Sequence, residues 1–343
     1  LRRSRYIARK ITWALITLVF VITLNFFLFR VLPGDPARAG IHDPRLKKEA
    51  VEAIRVRYGL DKPVINCFQT LNPVEFGDCL VNPLETQFFI YVGNLLQGEL
   101  GISYHTNRPV SSMLGEMLLN TILLIGLGQI LAIVLGMLLG ILAAWKAHTT
   151  IDYAALLFSL TAWSLPTFWL GIILLFIGSS QWGLPIGGRI TPGMTYENTW
   201  QQIVDMGRHL ILPTITFTIV FLGEYMLIMR STVLDVLSED YILTAKAKGV
   251  SNFQILKDHA LRNAMLPMVT IIALNLGFTV SGAIQIEAVF SWPGLGGAIY
   301  TAVGRRDYPL LQGAFLLIAV SVIFANLAAD LLYSYLDPRV QET

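Results

Sequence analysis

Glu224 is the lone carboxylate in the run HLILPTITFTIVFLGEYMLIM, and an acid in such apolar company calls for a partner. An ionised side chain at the centre of a membrane helix costs about 2.5 to 3.5 kcal/mol to insert, so it turns toward protein, water or cargo. The chemistry open to Glu224 is cation binding, for instance to the amino group of a peptide. Two structural readings stand beside it: a pair with Arg230, almost two helical turns on, or a polar group on another subunit. Gln129, Asn275, Gln285 and Glu287 are further polar residues in apolar surroundings and join Glu224 as candidates for lining a pathway.

Catalytic and metal-binding signatures are missing. The five histidines, at 42, 105, 148, 209 and 259, form no HExxH, and the two cysteines form no CxxC, so a metal site is not expected. GxxxxGK[ST] occurs nowhere, which excludes a phosphate cradle of that type, and there is no GxSxG nucleophile elbow. With 25 basic against 23 acidic side chains and no basic run interleaved with aromatics, nucleic acid is not an expected partner. A non-catalytic chain follows; a membrane-embedded enzyme would need a constellation that is not there.

The elements that position these residues are membrane spans. With 54% hydrophobic and 14% charged residues and a mean hydropathy of +0.60, the chain reads as an all-α integral membrane protein. Six spans are expected: Ile11 to Leu32, Met117 to Trp145, Ile151 to Gly178, His209 to Leu227, Met268 to Phe290 and Leu310 to Leu336. The first, preceded by Arg2, Arg3, Arg5, Arg9 and Lys10, is too long for a removable signal and is expected to stay as an anchor over 1–33. About twelve basic residues fall in the short loops on the side of the N-terminus and about four on the other, which places both termini in the cytoplasm. The core is then 116–336, with a cytoplasmic loop at 234–266 and a tail at 337–343. Ala132, Gly136, Gly140 and Ala144 recur every four residues in the second span, a small-residue stripe suited to close helix packing. Pro166 and Pro213 are expected to kink or begin their helices.

The extracytoplasmic segment, 34–115, carries signs of two amphipathic helices. Asp43-Pro44 opens the first and Gly59 stops it; Asn82-Pro83 opens the second, Leu84, Phe88, Tyr91 and Leu95 share a face, and Gly98 closes it. Between them lie Cys67 and Cys79. In an oxidising compartment they are a candidate disulfide, contributing up to about 3 kcal/mol on a loop-entropy estimate; two free thiols are the alternative.

Between the fourth and fifth spans runs a polar, helix-prone stretch from Glu239 to Pro267. Asp235, Glu239 and Asp240 favour the start of a helix at TAKAKG, and Gly249 lets the chain turn into a second helix. Ala245 and Ala247 are small enough for another protein's cleft to approach closely.

DYILTAKAKGVSNFQILKDHALRNAMLP, at 240–267, resembles the cytoplasmic "EAA" segment of ABC-importer permeases, in the version found in dipeptide and oligopeptide permease B subunits. VLPGDPA at 31–37, FSWPGLGG at 290–297 and RRDYPLLQG at 305–313 resemble the same family, as do the shorter YGLDKP and GELGISY. The resemblance runs through the chain in order. It implies the type I permease fold of six transmembrane helices, a place in a bacterial or archaeal cytoplasmic membrane, and one half of a translocation pathway for di- or oligopeptides. The implied partners are a homologous second permease, two cytoplasmic ATPase subunits that bind ATP and Mg, an extracytoplasmic solute-binding protein, and membrane lipid. Tyr241, Thr244, Ala245, Ala247, Lys248 and Gly249 match the coupling helix that enters an ATPase groove, and His259, Arg262 and Asn263 the return helix that supports it. Thr244 and Arg262 depart from the general pattern, as is usual in the peptide branch. The stretch from about 64 to 83 departs from that branch and is a candidate lobe for contact with the binding protein, a family-specific ornament being the alternative. Relatives moving nickel, glutathione or oligosaccharides keep the substrate open, and an ion-coupled secondary transporter is the distant alternative.

Overall fold

The computed structural model describes residues 2–31, 86–279 and 284–336. The expected helix from Asp43 to Gly59, Cys67, Cys79 and the 64–83 stretch lie outside these. Apart from an isolated bridge between Ile102 and Pro109, the regular structure described is helical. In chain order the helices are α1 (Arg2–Val31), α2 (Gln87–Leu96), α3 (Val110–Trp145), α4 (Thr150–Ser164), α5 (Thr167–Trp182) and α6 (Thr199–Leu237). They continue with α7 (Asp240–Ala247), the single turn α8 (Asn252–Gln254), a π-helical turn (Ile255–Ala260), α9 (Leu261–Thr279), α10 (Ile284–Val289), α11 (Leu295–Arg305) and α12 (Tyr308–Leu336).

Four of these, in α1, α3, α6 and α12, are long and apolar enough to cross a membrane. The expected span from Ile151 to Gly178 is not one straight helix: α4 and α5 meet at 101°. The physical reason is Pro166, whose ring disfavours helical geometry at the residue before it. Leu165 is accordingly extended, at φ −73° and ψ 133°. Pro213, by contrast, is accommodated inside α6. Its helix is also far longer than His209 to Leu227, opening at Asn198, whose side chain accepts from the Gln201 N–H. The expected span from Met268 to Phe290 is described as α9 and α10, on either side of residues 280–283.

The chain forms two compact units. The larger comprises Leu1–Leu15, Leu118–Gly297 and Ser321–Thr343. Helix α6 is its axis, packed by α4, α5 and α9. Tyr225, Met229 and Val233 of α6 meet Leu256, Ala260, Ala264 and Met268 from the π turn and α9, together with Ala132 and Ala144 of α3. The small-residue stripe explains the approach of α3. A Cβ on Gly136 would sit 2.6 Å from the Leu222 carbonyl oxygen, and one on Gly140 2.6 Å from that of Met226. Only glycine lets these backbones come so near.

The smaller unit comprises Ile16–Met117 and Ala298–Val320. Phe26 packs edge-on against Phe88 of α2, and Asn25 donates to the Gln312 carbonyl at 3.1 Å. Gly98, at φ +77°, ends α2 as expected. Two of the motif blocks meet here. The Asp307 carboxylate accepts the Ser103 hydroxyl and, at 3.2 Å, the Tyr104 N–H.

Candidate functional site

Two groups of candidate residues are built within the larger unit. The first surrounds α7. Its C-terminus is set by Gly249, which at φ +80° occupies the left-handed region that glycine tolerates. The Gly249 N–H reaches the Lys246 carbonyl at 3.0 Å and the Val250 N–H that of Ala245 at 3.2 Å, the two bonds of a Schellman cap. The chain then restarts at Ser251, whose side chain forms a capping box with Gln254. Beneath the turn, Ile242, Ala245 and Ile255 form a small core joined by Leu237 and Val250.

This core corrects one expectation. Ala245 is only 8% exposed and faces its own chain, so its small side chain serves the internal packing of α7 and not an approach by another protein. The outward surface of α7 is made by Tyr241, Leu243, Thr244, Lys246, Ala247 and Lys248. Leu243, 69% exposed, was not singled out by the sequence, although an aliphatic residue among lysines and threonine was a readable signal. Phe253, also exposed, lies edge-on to Trp145. His259 and Arg262 are exposed on the return segment, and Asn263 donates to the Tyr241 hydroxyl at 2.7 Å, tying α9 to α7. The return segment is not a plain α-helix, because Ile255–Ala260 is wound as a π turn.

The second group lies where α3, α6 and α9 face one another. Gln129 donates through its amide to the hydroxyl of Tyr225, which is fully buried. The Asn275 amide donates to the same hydroxyl at 3.0 Å and to Glu224 Oε2 at 3.3 Å. Three of the five pathway candidates are thus brought together: Tyr225, which the sequence reading missed, joins Gln129 to Asn275, and Asn275 joins both to Glu224. The polar hydroxyl of Tyr225 beside Glu224 was the available clue.

Arg230 does not belong to this group, which corrects the proposed internal pair with Glu224. Its guanidinium instead grips the fully buried carboxylate of Asp152 at the start of α4, with contacts of 2.5 and 2.7 Å. Asp152 also accepts the His148 N–H at 2.9 Å. Such a two-pronged pair is held by both its geometry and its charge.

The remaining two candidates do not join the cluster. Gln285 is exposed on α10. Glu287 is buried elsewhere and satisfied by its own chain: Oε1 accepts the Thr121 hydroxyl at 2.8 Å, and Oε2 the Gly297 N–H at 2.8 Å. Thr121 in turn accepts the Leu295 N–H at 2.7 Å, while Trp292 donates its indole N–H to the Asn120 carbonyl at 2.9 Å. Glu287 therefore organises the FSWPGLGG block against α3, and a Cβ on Gly294 would overlap Glu287 Oε1, so a larger residue there would push the carboxylate off its donors.

Comparison with known proteins covers nearly the whole chain. Residues 136–342 match the family model described as binding-protein-dependent transport system inner membrane component, and residues 3–125 match its N-terminal counterpart. A putative peptide permease protein of Brucella suis biovar 1 (strain 1330) is 36% identical over 343 residues, covering 99% of each chain. The dipeptide transport system permease protein DppB of Escherichia coli (strain K12) is 33% identical over 354 aligned positions, covering 98% of each. The di/tripeptide transport system permease protein DppB of Pseudomonas aeruginosa (strain UCBPP-PA14) is 35% identical over 354, again covering 98% of each.

Proposed function

This chain belongs to the family of binding-protein-dependent transport system inner membrane components, and we propose that it is a permease subunit of an ABC importer for di- or oligopeptides. The observation that carries this reading is the match, over 98% to 99% of each chain, to permeases named for peptides. In this reading the chain is a six-span protein of the inner membrane, with both termini cytoplasmic. It makes half of the pathway with a second permease, and receives peptide from an extracytoplasmic binding protein. ATP and Mg act on two partner ATPases, and this chain converts their motion into movement of its helices.

The surface of α7 supports such a role. Tyr241, Leu243, Thr244, Ala247 and Lys248 face outward while Ile242 and Ala245 grip the core below. A push on α7 is therefore delivered through Ile255 to the π turn, and through the Asn263 contact with Tyr241 to α9. Leu237 links the same core to the end of α6. Both α6 and α9 carry residues of the polar cluster, so displacement of α7 moves the walls around Glu224. Alternating access by rigid-body movement follows.

The test is co-purification from native membranes of a tagged chain, wild type against Leu243→Asp. Leu243 is exposed, so the substitution spares the fold. The expected result is ATPase subunits with the wild type and at least a tenfold loss of them with the variant. A wild-type chain that purifies without any ATPase would overturn the proposal.

A further inference from the structure

We infer that Glu224, held by Asn275 and set beside the Tyr225 hydroxyl, is an ammonium-binding subsite that receives the N-terminal amino group of a peptide in transit. The inference rests on the import function proposed above and adds the chemistry of one step of it.

Glu224 lacks a charged partner among the described residues. It is half-buried, and its one described hydrogen bond is at Oε2, from the neutral Asn275 amide. Among the described residues no ion pair reaches it. Arg230, six residues along the same helix, is committed to Asp152 with two hydrogen bonds to its carboxylate oxygens. A carboxylate with a neutral donor on one oxygen retains most of its acceptor capacity. Glu287 shows how this same unit treats a structural acid: buried, with a donor on each oxygen.

The surroundings fit a primary ammonium. Gln129, Tyr225 and Asn275, on three separate helices, form a hydrogen-bonded polar cluster beside the carboxylate, and Glu224 Oε1 is the acceptor left for one donor of an –NH3+. Gln129 lies near the midpoint of α3, so the subsite is at mid-helix and not at a helix end. The core below it is closed by Tyr225 and Met229, which leaves the ammonium to approach from the half-exposed side of Glu224. Every free peptide carries this group whatever its side chains, which suits a pathway that must pass many sequences.

The test uses the complete transporter in proteoliposomes with its binding protein. Uptake of dialanine and of N-acetyl-dialanine is compared for wild type, Glu224→Gln and Glu224→Asp. Glutamine keeps an acceptor for Asn275 and removes only the charge. The expected result is a tenfold or greater fall in dialanine uptake in Glu224→Gln and a fall of no more than threefold in Glu224→Asp. Uptake of N-acetyl-dialanine, which lacks the amino group, falls far less in Glu224→Gln than uptake of dialanine. Dialanine uptake by Glu224→Gln within twofold of wild type overturns the subsite, as does an equal fall for both peptides. A wild-type transporter that hydrolyses ATP but moves neither peptide removes the peptide-import reading itself, and the subsite with it.

Discussion

Glu224 and Glu287 are both acids in apolar segments of the same unit, yet their surroundings are opposite. Glu287 is 1% exposed and has a donor on each oxygen, one from Thr121 and one from the Gly297 backbone. Glu224 is half-buried and meets one neutral amide. A buried carboxylate wholly enclosed by its own chain's donors is a fastener, because every acceptor it offers is spent inside the fold. One left with unfilled capacity is available to something that passes. The difference separates the acid that holds the FSWPGLGG block from the acid on which transport is proposed to depend.

Substitutions can break that contrast. The largest effect is expected for Glu287→Ala, which removes the acceptor of the buried Thr121 hydroxyl and of the part-buried Gly297 N–H; at the usual cost of unsatisfied groups this amounts to about 2 to 4 kcal/mol. Size-exclusion after graded heating of the detergent-solubilised chain should show early loss of the folded peak. An unaltered profile would erase the distinction between the two acids.

Arg230→Ala comes next, at about 2 to 3 kcal/mol, because it leaves the buried Asp152 uncompensated while the partly exposed arginine itself is easily hydrated. Adding Asp152→Asn should return part of the lost heat resistance, whereas a pair without energetic coupling would show simple addition of the two effects. The smallest change in stability is expected for Glu224→Gln, within about 0.5 kcal/mol of wild type, since the Asn275 contact survives. A large fall in heat resistance there would make Glu224 a second fastener.

Legibility in the sequence differed between these regions for physical reasons. The stripe Ala132, Gly136, Gly140 and Ala144 was readable because helical periodicity alone places the four on one face, and all four are buried. Gly98 and Gly249 were readable because their left-handed conformation follows from the need to end a helix. The orientation of α7 was not. Ala245 and Ala247 are equally small, and only the packing of Ile242 and Ile255 decides which one turns inward. The partner of Arg230 was hidden for a related reason: Asp152 is distant in sequence, and within one helix Glu224 looked nearer. The role of Glu287 required knowing that residues 290–297 fold back onto α3, a long-range contact that hydropathy does not encode. Proline chemistry was visible at Pro166, but the 101° turn between α4 and α5 exceeds what a single kinked span would show.

Coupling to ATP separates an ABC permease from an ion-driven carrier, and uptake of dialanine by proteoliposomes containing the purified complex distinguishes the two. ATP should be supplied on the side reached by α7, with ionophores collapsing every ion gradient. Uptake should continue under these conditions, stop when ATP is withheld, and need the binding protein on the opposite side. Uptake that proceeds without ATP and vanishes when the gradients are collapsed would contradict the coupling to ATP and identify an ion-coupled carrier instead.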